Sequence, residues 1–195
     1  MTGKAARDRN RRGEGARLRE ELVDAAARLL EDSGQEALSL RAVAREAGVA
    51  PQSVYLQFAD RADLLDAIWV LWFAELTAAL SVPENSDSSA RLAAVLRAYC
   101  AYGFDHPGRY RVLFSSACAP GWEPDSSNYH GRAAFQVLAE ATAAAGADDP
   151  MLTATCLWAA LHGLVTLRLD RPSFPWPPLN SLLDALLAAH LPTRT

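Results

Sequence analysis

The sequence predicts an all-α protein of about nine helices, with a short three-helix unit ahead of a larger helical remainder. Three observations predict it. Alanine and leucine dominate, β-branched runs are short, and no strand-like alternation or internal repeat is present. Apolar residues recur at three- and four-residue spacing, which lines one face of a helix. Glycine, proline and capping residues punctuate the chain where each apolar stripe ends.

Each element follows in order. Leu18, Leu22, Ala25, Ala26, Leu29 and Leu30 set a first helix near 15–33, and Gly34 stops it. Ser39 is a good N-cap for a second helix, roughly 40–47, with Leu40, Val43 and Ala44 inward. Gly48 makes a turn. Pro51 opens a third helix, expected over 51–58, at the position where its missing N–H costs nothing. Asp60 caps a fourth helix running to about Leu80, and Asp63 in its first turn suits the helix dipole. SVPENSDSS, 81–89, is a connector. A fifth helix covers about 89–105, and His106-Pro107-Gly108 breaks the chain and starts a sixth, about 107–115. ACAPGWEPDSSN, 117–128, reads as a loop before a seventh helix at about 128–145. Gly146 to Pro150 is a break, the eighth helix spans about 150–169, RPSFPWPP at 171–178 is not helical, and the ninth helix spans about 179–190. The expected division is a flexible basic arm at 1–14, a helix-turn-helix domain at 15–65 and a second domain at 66–195.

The 195 residues, 50% hydrophobic, suffice for a real core. No apolar run approaches ~18 residues, so no membrane span is expected. The basic N-terminus has no apolar stretch behind it, so no secretory signal is expected and the chain reads as cytoplasmic. Cys100, Cys118 and Cys156 have unrelated spacings and read as reduced thiols, with no metal site and no cofactor expected. The net charge of −4 is unevenly spread: Lys4, Arg7, Arg9, Arg11 and Arg12 against Asp8 give residues 1–12 a local +4. That tail is either a solvated leader or an arm that touches phosphate.

The third helix poses a question. It is about two turns long, well below the ~12–15 residues an isolated helix needs in water. Leu40, Val43, Ala44, Val49 and Val54 can hold it and the second helix together against the first. One face then remains outward, carrying Gln52, Ser53 and Gln57. Such groups both donate and accept, and a DNA major groove admits one helix whose side chains read base edges. An ordinary polar surface is the plainer explanation for a random short helix. Here the helix is too short to exist for its own sake, and Tyr55, Phe58 and Arg61 follow in fixed order.

The run LVDAAARLLEDSGQEALSLRAVAREAGVAPQSVYLQFADRADLL resembles the N-terminal domain of the TetR family of transcriptional regulators. The resemblance covers residues 17–65. It implies a dimeric DNA-binding protein whose C-terminal helical domain binds a ligand. By matching positions, Gln52, Ser53 and Gln57 become base readers, and Tyr55 and Arg61 phosphate contacts. Arg41 becomes a phosphate or guanine contact, and Leu56 a possible thymine-methyl contact. Ala50 departs from the pattern: it occupies the usual serine or threonine cap site, so one capping bond, worth ~1 kcal/mol, is expected to be missing.

Residues 66–195 resemble the family's ligand-binding and dimerisation domain. Trp158 followed by Leu161-His162-Gly163-Leu164 is similar to the W…HG pattern of one subgroup, and His106-Pro107 with Tyr110-Arg111-Val112-Leu113-Phe114 fits its sixth helix. Trp72, Tyr99, Tyr102, Phe114, Trp122, Trp158 and His162 are the candidate ligand contacts, with core packing as the plainer role for each. Tyr99 and Tyr102 lie on adjoining turns, so their hydroxyls are expected to serve one pocket. No charged residue lies between Trp69 and Phe73 or between Leu157 and Leu167, which points to a small apolar or aromatic effector. Leu182, Leu183, Leu186, Leu187 and Leu191 give the last helix a wide apolar stripe, so a homodimer through residues 150–169 and 179–190 is expected.

Enzymatic activity is not expected. Cys100 and His106, like Cys156 and His162, are six residues apart and point to different helix faces, and no GxSxG, P-loop or HExxH is present. The functional expectation is a repressor released from a palindromic operator by its effector. The competing expectation is a helical dimeric interaction protein that has lost specific DNA binding.

Overall fold

The computed structural model describes residues 3–83, 87–114 and 130–191. Among them are nine α-helices, one short 3-10 helix and no strand, as the composition predicts. The helices are α1 (Gly3–Ser33), α2 (Leu40–Glu46), α3 (Pro51–Tyr55), α4 (Arg61–Leu80), α5 (Ser88–Asp105), α6 (Pro107–Phe114), α7 (Arg132–Ala144), α8 (Pro150–Asp170) and α9 (Leu179–His190). The 3-10 helix η1, Gln35–Ala37, lies between α1 and α2.

Two compact units emerge. One holds Met1–Leu71 with Arg111–Ser115, the other Trp72–Tyr110 with Ser116–Thr195. This division falls inside α4, between Leu71 and Trp72. Side chains of one helix serve two cores in succession, and sequence marks the end of a helix far better than a change of packing partner along it.

In the first unit α2 packs on α1 and α3 packs on α2. Leu22, Ala25, Ala26, Leu30, Val43, Ala44, Val54, Phe58, Leu64 and Ile68 are buried in its core. α1 begins at Gly3, so helical backbone reaches through the stretch expected to be a flexible arm. Alanine and arginine are strong helix formers, and a glycine inside a helix costs only ~1 kcal/mol, so Gly13 and Gly15 do not end it. Apart from the exposed Glu14, the charged side chains of the expected arm lie outside the described residues.

In the second unit α7 packs on α8, and α5 touches α7, α8 and α9. Asp87 caps α5 by accepting from Ser89 N at 2.9 Å, and Asp149 caps α8 by accepting from Leu152 N at 3.0 Å. Gly103 is where α5 approaches α8: a Cβ there would stand 2.6 Å from Val165 Cγ1 and 3.1 Å from the Tyr110 ring. The loop expected at 117–128 lies outside the described residues. By length and composition alone, α8 is long and apolar enough to cross a membrane, which a core helix of a soluble protein also is. Threonines, a histidine and a glycine break its apolar runs without making the helix as a whole polar. Its buried residues Ala154, Leu157, Leu161 and Val165 form one stripe.

Candidate nucleic-acid interface and the buried tyrosine–histidine chain

Caps and a tight turn build the helix-turn-helix. Ser39 Oγ accepts from Ala42 N at 3.1 Å and starts α2. After α2, Gly48 takes φ 69°, the left-handed region, and Val49 N returns to Ala44 O at 2.9 Å. Ala50 stands at the N-cap of α3 with no side-chain capping bond, as expected. Asp60 Oδ1 accepts from Ala62 N and Asp63 N at 2.8 and 2.9 Å, and Asp63 Oδ2 reaches back to Ala59 N at 2.9 Å, a reciprocal cap for α4.

α3 ends at Tyr55 rather than Phe58. The backbone N–H groups of Gln57 and Phe58 both turn back to Val54 O at 2.9 Å, closing the chain into a turn. Val54 is 0% and Phe58 1% exposed, whereas Tyr55 is 53% and Leu56 78% exposed. Gln52 and Arg41 are exposed, and Ser53 and Gln57 are half-buried. The apolar back of α3 is thus gripped while its front meets solvent. Gln57 faces least outward: its Nε2 is 3.9 Å from the position a Cβ would take on Gly15 of α1.

Arg61 differs most from expectation. Its Nε donates to Leu38 O at 3.0 Å and its Nη2 to Gln35 O at 2.8 Å. The guanidinium expected at a phosphate ties the start of α4 to the chain entering α2. Leu38 O follows the 3-10 helix, and Gln35 O, at its first residue, also accepts from Leu38 N at 3.2 Å. Sequence spacing does not reveal such acceptors.

The second unit arranges its polar groups differently. Tyr99 OH and Tyr110 OH share a hydrogen bond at 2.9 Å, and Tyr110 OH meets His162 Nδ1 at 2.8 Å. The Tyr110 and His162 rings stack at 5.6 Å between centroids, and Tyr99 meets Tyr110 edge-on at 6.0 Å. Burial pushes the Tyr110 hydroxyl far above its usual range and holds His162 below its ordinary value, so the imidazole stays neutral at pH 7. Buried Cys100 is likewise pushed up to about 12 by desolvation.

Tyr102 takes another partner, donating to Trp72 O at 3.2 Å. The hydroxyls of Tyr99 and Tyr102 thus each have a partner of their own, Tyr110 OH and Trp72 O. Arg109 lies over the Trp72 ring, 5.8 Å to its centroid, and pairs with Glu75 at 2.6 Å. Trp158 meets Phe135 edge-on at 6.0 Å. Phe114 is half-buried and groups with the first unit, and Trp122 lies outside the described residues. Tyr110, central to the chain, was absent from the candidate contacts. The available signal is a tyrosine between Arg109 and Arg111 with Val112 and Leu113 following on a short helix.

Met151, Leu152 and Leu167 of α8 are more than half exposed. Of the apolar stripe on α9 only Leu183 is buried; Leu182, Leu186, Leu187 and Leu191 are half-buried.

Comparison with known proteins places both units. Residues 22–68 match the family described as bacterial regulatory proteins, tetR family. Residues 92–191 match the tetracyclin repressor-like C-terminal domain. The chain is 28% identical over 155 residues to an uncharacterised HTH-type transcriptional regulator of Mycobacterium tuberculosis, covering 77% of this chain and 70% of the relative. It superimposes with a TM-score of 0.76 and 29% identity on a protein of unknown function from Rhodococcus sp. RHA1, over 90% of this chain and 96% of that one. It also shares its fold with BioQ bound to its double-stranded DNA operator, at TM-score 0.61 and 22% identity over 88% of this chain and 98% of that one. The matched families are transcriptional regulators, not enzymes.

Proposed function

Because the chain belongs to the TetR family of transcriptional regulators, with its DNA-binding domain at the N-terminal end, we propose that it is a cytoplasmic, dimeric repressor released from its operator by a small ligand. One observation carries the DNA-reading part. The front of α3 exposes Gln52, Tyr55 and Leu56 while Val54 and Phe58 hold its back. Gln52 and Ser53 read base edges, Gln57 reaches an edge only by turning from α1, Leu56 takes a thymine methyl, and Tyr55 and Arg41 bind phosphate. Arg61 supports the fold rather than a phosphate. BioQ with its DNA operator offers a precedent on the same fold.

Dimerisation through α8 and α9 covers the exposed Met151, Leu152 and Leu167 and the half-buried leucines of α9. Two reading helices then call for half-sites about one helical turn apart, ~34–36 Å. The effector is small and apolar or aromatic, received among Trp72, Tyr99, Tyr102 and Trp158, with His162 as a neutral polar contact. To lower operator occupancy a hundredfold it must prefer the non-binding state by about 2.7 kcal/mol.

The test is a gel shift at two salt concentrations with a duplex enriched by the protein from a randomised library. Steep weakening with salt and protection of an inverted repeat are expected. Failure to enrich any duplex sinks the proposal and favours an interaction protein without specific DNA binding.

A further inference from the structure

Arg19 belongs to α1, yet three of its contacts lie at the exit of α3. Its guanidinium stands 4.2 Å from the centre of the Phe58 ring, and its Nη1 donates to Gln57 O at 2.5 Å. Its Nη2 is 3.8 Å from Asp63 Oδ1, while Asp63 Oδ2 holds Ala59 N. One planar cation thus touches the carbonyl, the ring and the capping carboxylate of the turn that leaves α3. The entrance of α3 has no side-chain cap, and the helix is only five residues long. So short a helix has no stability of its own and depends on its tertiary contacts, Val54 along its back and the turn at its exit.

We infer that Arg19 is a positioning residue for DNA reading: by clamping the turn after α3 it fixes the angle at which Gln52 and Ser53 are presented, without itself binding phosphate. This rests on the function proposed above. The side-chain chemistry makes the role specific. An arginine can stack flat on a ring while donating from its edge. A lysine is a point charge that serves a phosphate but cannot do both.

Arg19→Lys and Arg19→Met are compared with the unaltered full chain on the enriched duplex and on poly(dI–dC), over a range of salt. Thermal melting is followed in parallel. Both variants are expected to lose about tenfold in affinity for the enriched duplex and little for poly(dI–dC), with the salt slope unchanged and the fold intact at the assay temperature. Wild-type affinity in the lysine variant overturns the inference. So does a salt slope reduced by about one in the methionine variant, since Arg19 would then be a phosphate contact. Losses that track unfolding at the assay temperature also overturn it, leaving Arg19 a residue of the fold alone. If the unaltered protein enriches no duplex, the proposed function fails instead.

Discussion

The two units use polar side chains in opposite ways. Around α3 the core is apolar and Gln52, Tyr55 and Arg41 turn to solvent, without hydrogen-bond partners for the Gln52 and Tyr55 side chains among the described residues. In the second unit Tyr99, Tyr110 and His162 go inward and hydrogen-bond one another, and Tyr110 is 2% exposed. A surface amide in water costs nothing to leave uncommitted, so it is available to a partner molecule. A buried hydroxyl must be satisfied from within. The first arrangement suits recognition of something large and outside; the second orders an interior.

This contrast gives five expectations, from the largest effect to the smallest. Val54→Asp places an unpaired carboxylate at a site with no solvent exposure. It should cost ~3 kcal/mol or more and remove DNA binding, with the loss read by thermal melting and gel shift. Tyr110→Phe leaves the Tyr99 hydroxyl and His162 Nδ1 without their shared partner and should cost ~1–3 kcal/mol in urea unfolding. An unchanged midpoint would show that the chain does not order the interior. Gln52→Ala should weaken operator binding by ~1–3 kcal/mol yet leave stability within ~0.5 kcal/mol. A large stability loss there would break the contrast from the other side. Ala50→Ser restores the missing cap and should stabilise the protein by ~1 kcal/mol, read as a higher melting temperature.

The smallest effect is one of pH. Burial lowers the His162 value in the folded state, so its contribution is present above the unfolded value near ~6.5 and is lost as pH falls below it. The unfolded chain takes up the proton first. His162→Asn should flatten the decline in melting temperature between neutral and mildly acidic pH. A decline as steep as in the unaltered protein would assign it to other groups.

What the sequence reveals follows the range of the physics. Ser39 and Asp60 act on backbone groups two or three residues away and behave as their spacing predicts, and Ala50 leaves α3 uncapped as the family pattern implies. α5, α6, α8 and α9 start and stop within a residue or so of expectation, because aspartate and proline mark most of their ends. Long-range choices were not legible. Arg61 reaches carbonyls more than twenty residues back, and Tyr99 prefers Tyr110 to its neighbour Tyr102. Both depend on how helices pack, and no local spacing encodes that. Arg19 is illegible in the same way, since nothing in the spacing of α1 announces a ring and a carbonyl from the far side of the turn.

Gly103 bears on how such a regulator could be re-engineered. A single hydrogen atom sets the separation of α5 and α8 beside Tyr110, with Val165 filling the space a methyl would need. Mutagenesis libraries aimed at new inducers should therefore treat codons 103 and 165 as a pair. Enlarging the first is tolerable only while the second shrinks and the Tyr110 ring, 3.1 Å from the added carbon, gives way; alanine at both adds one carbon and removes two, leaving the contact slightly underfilled.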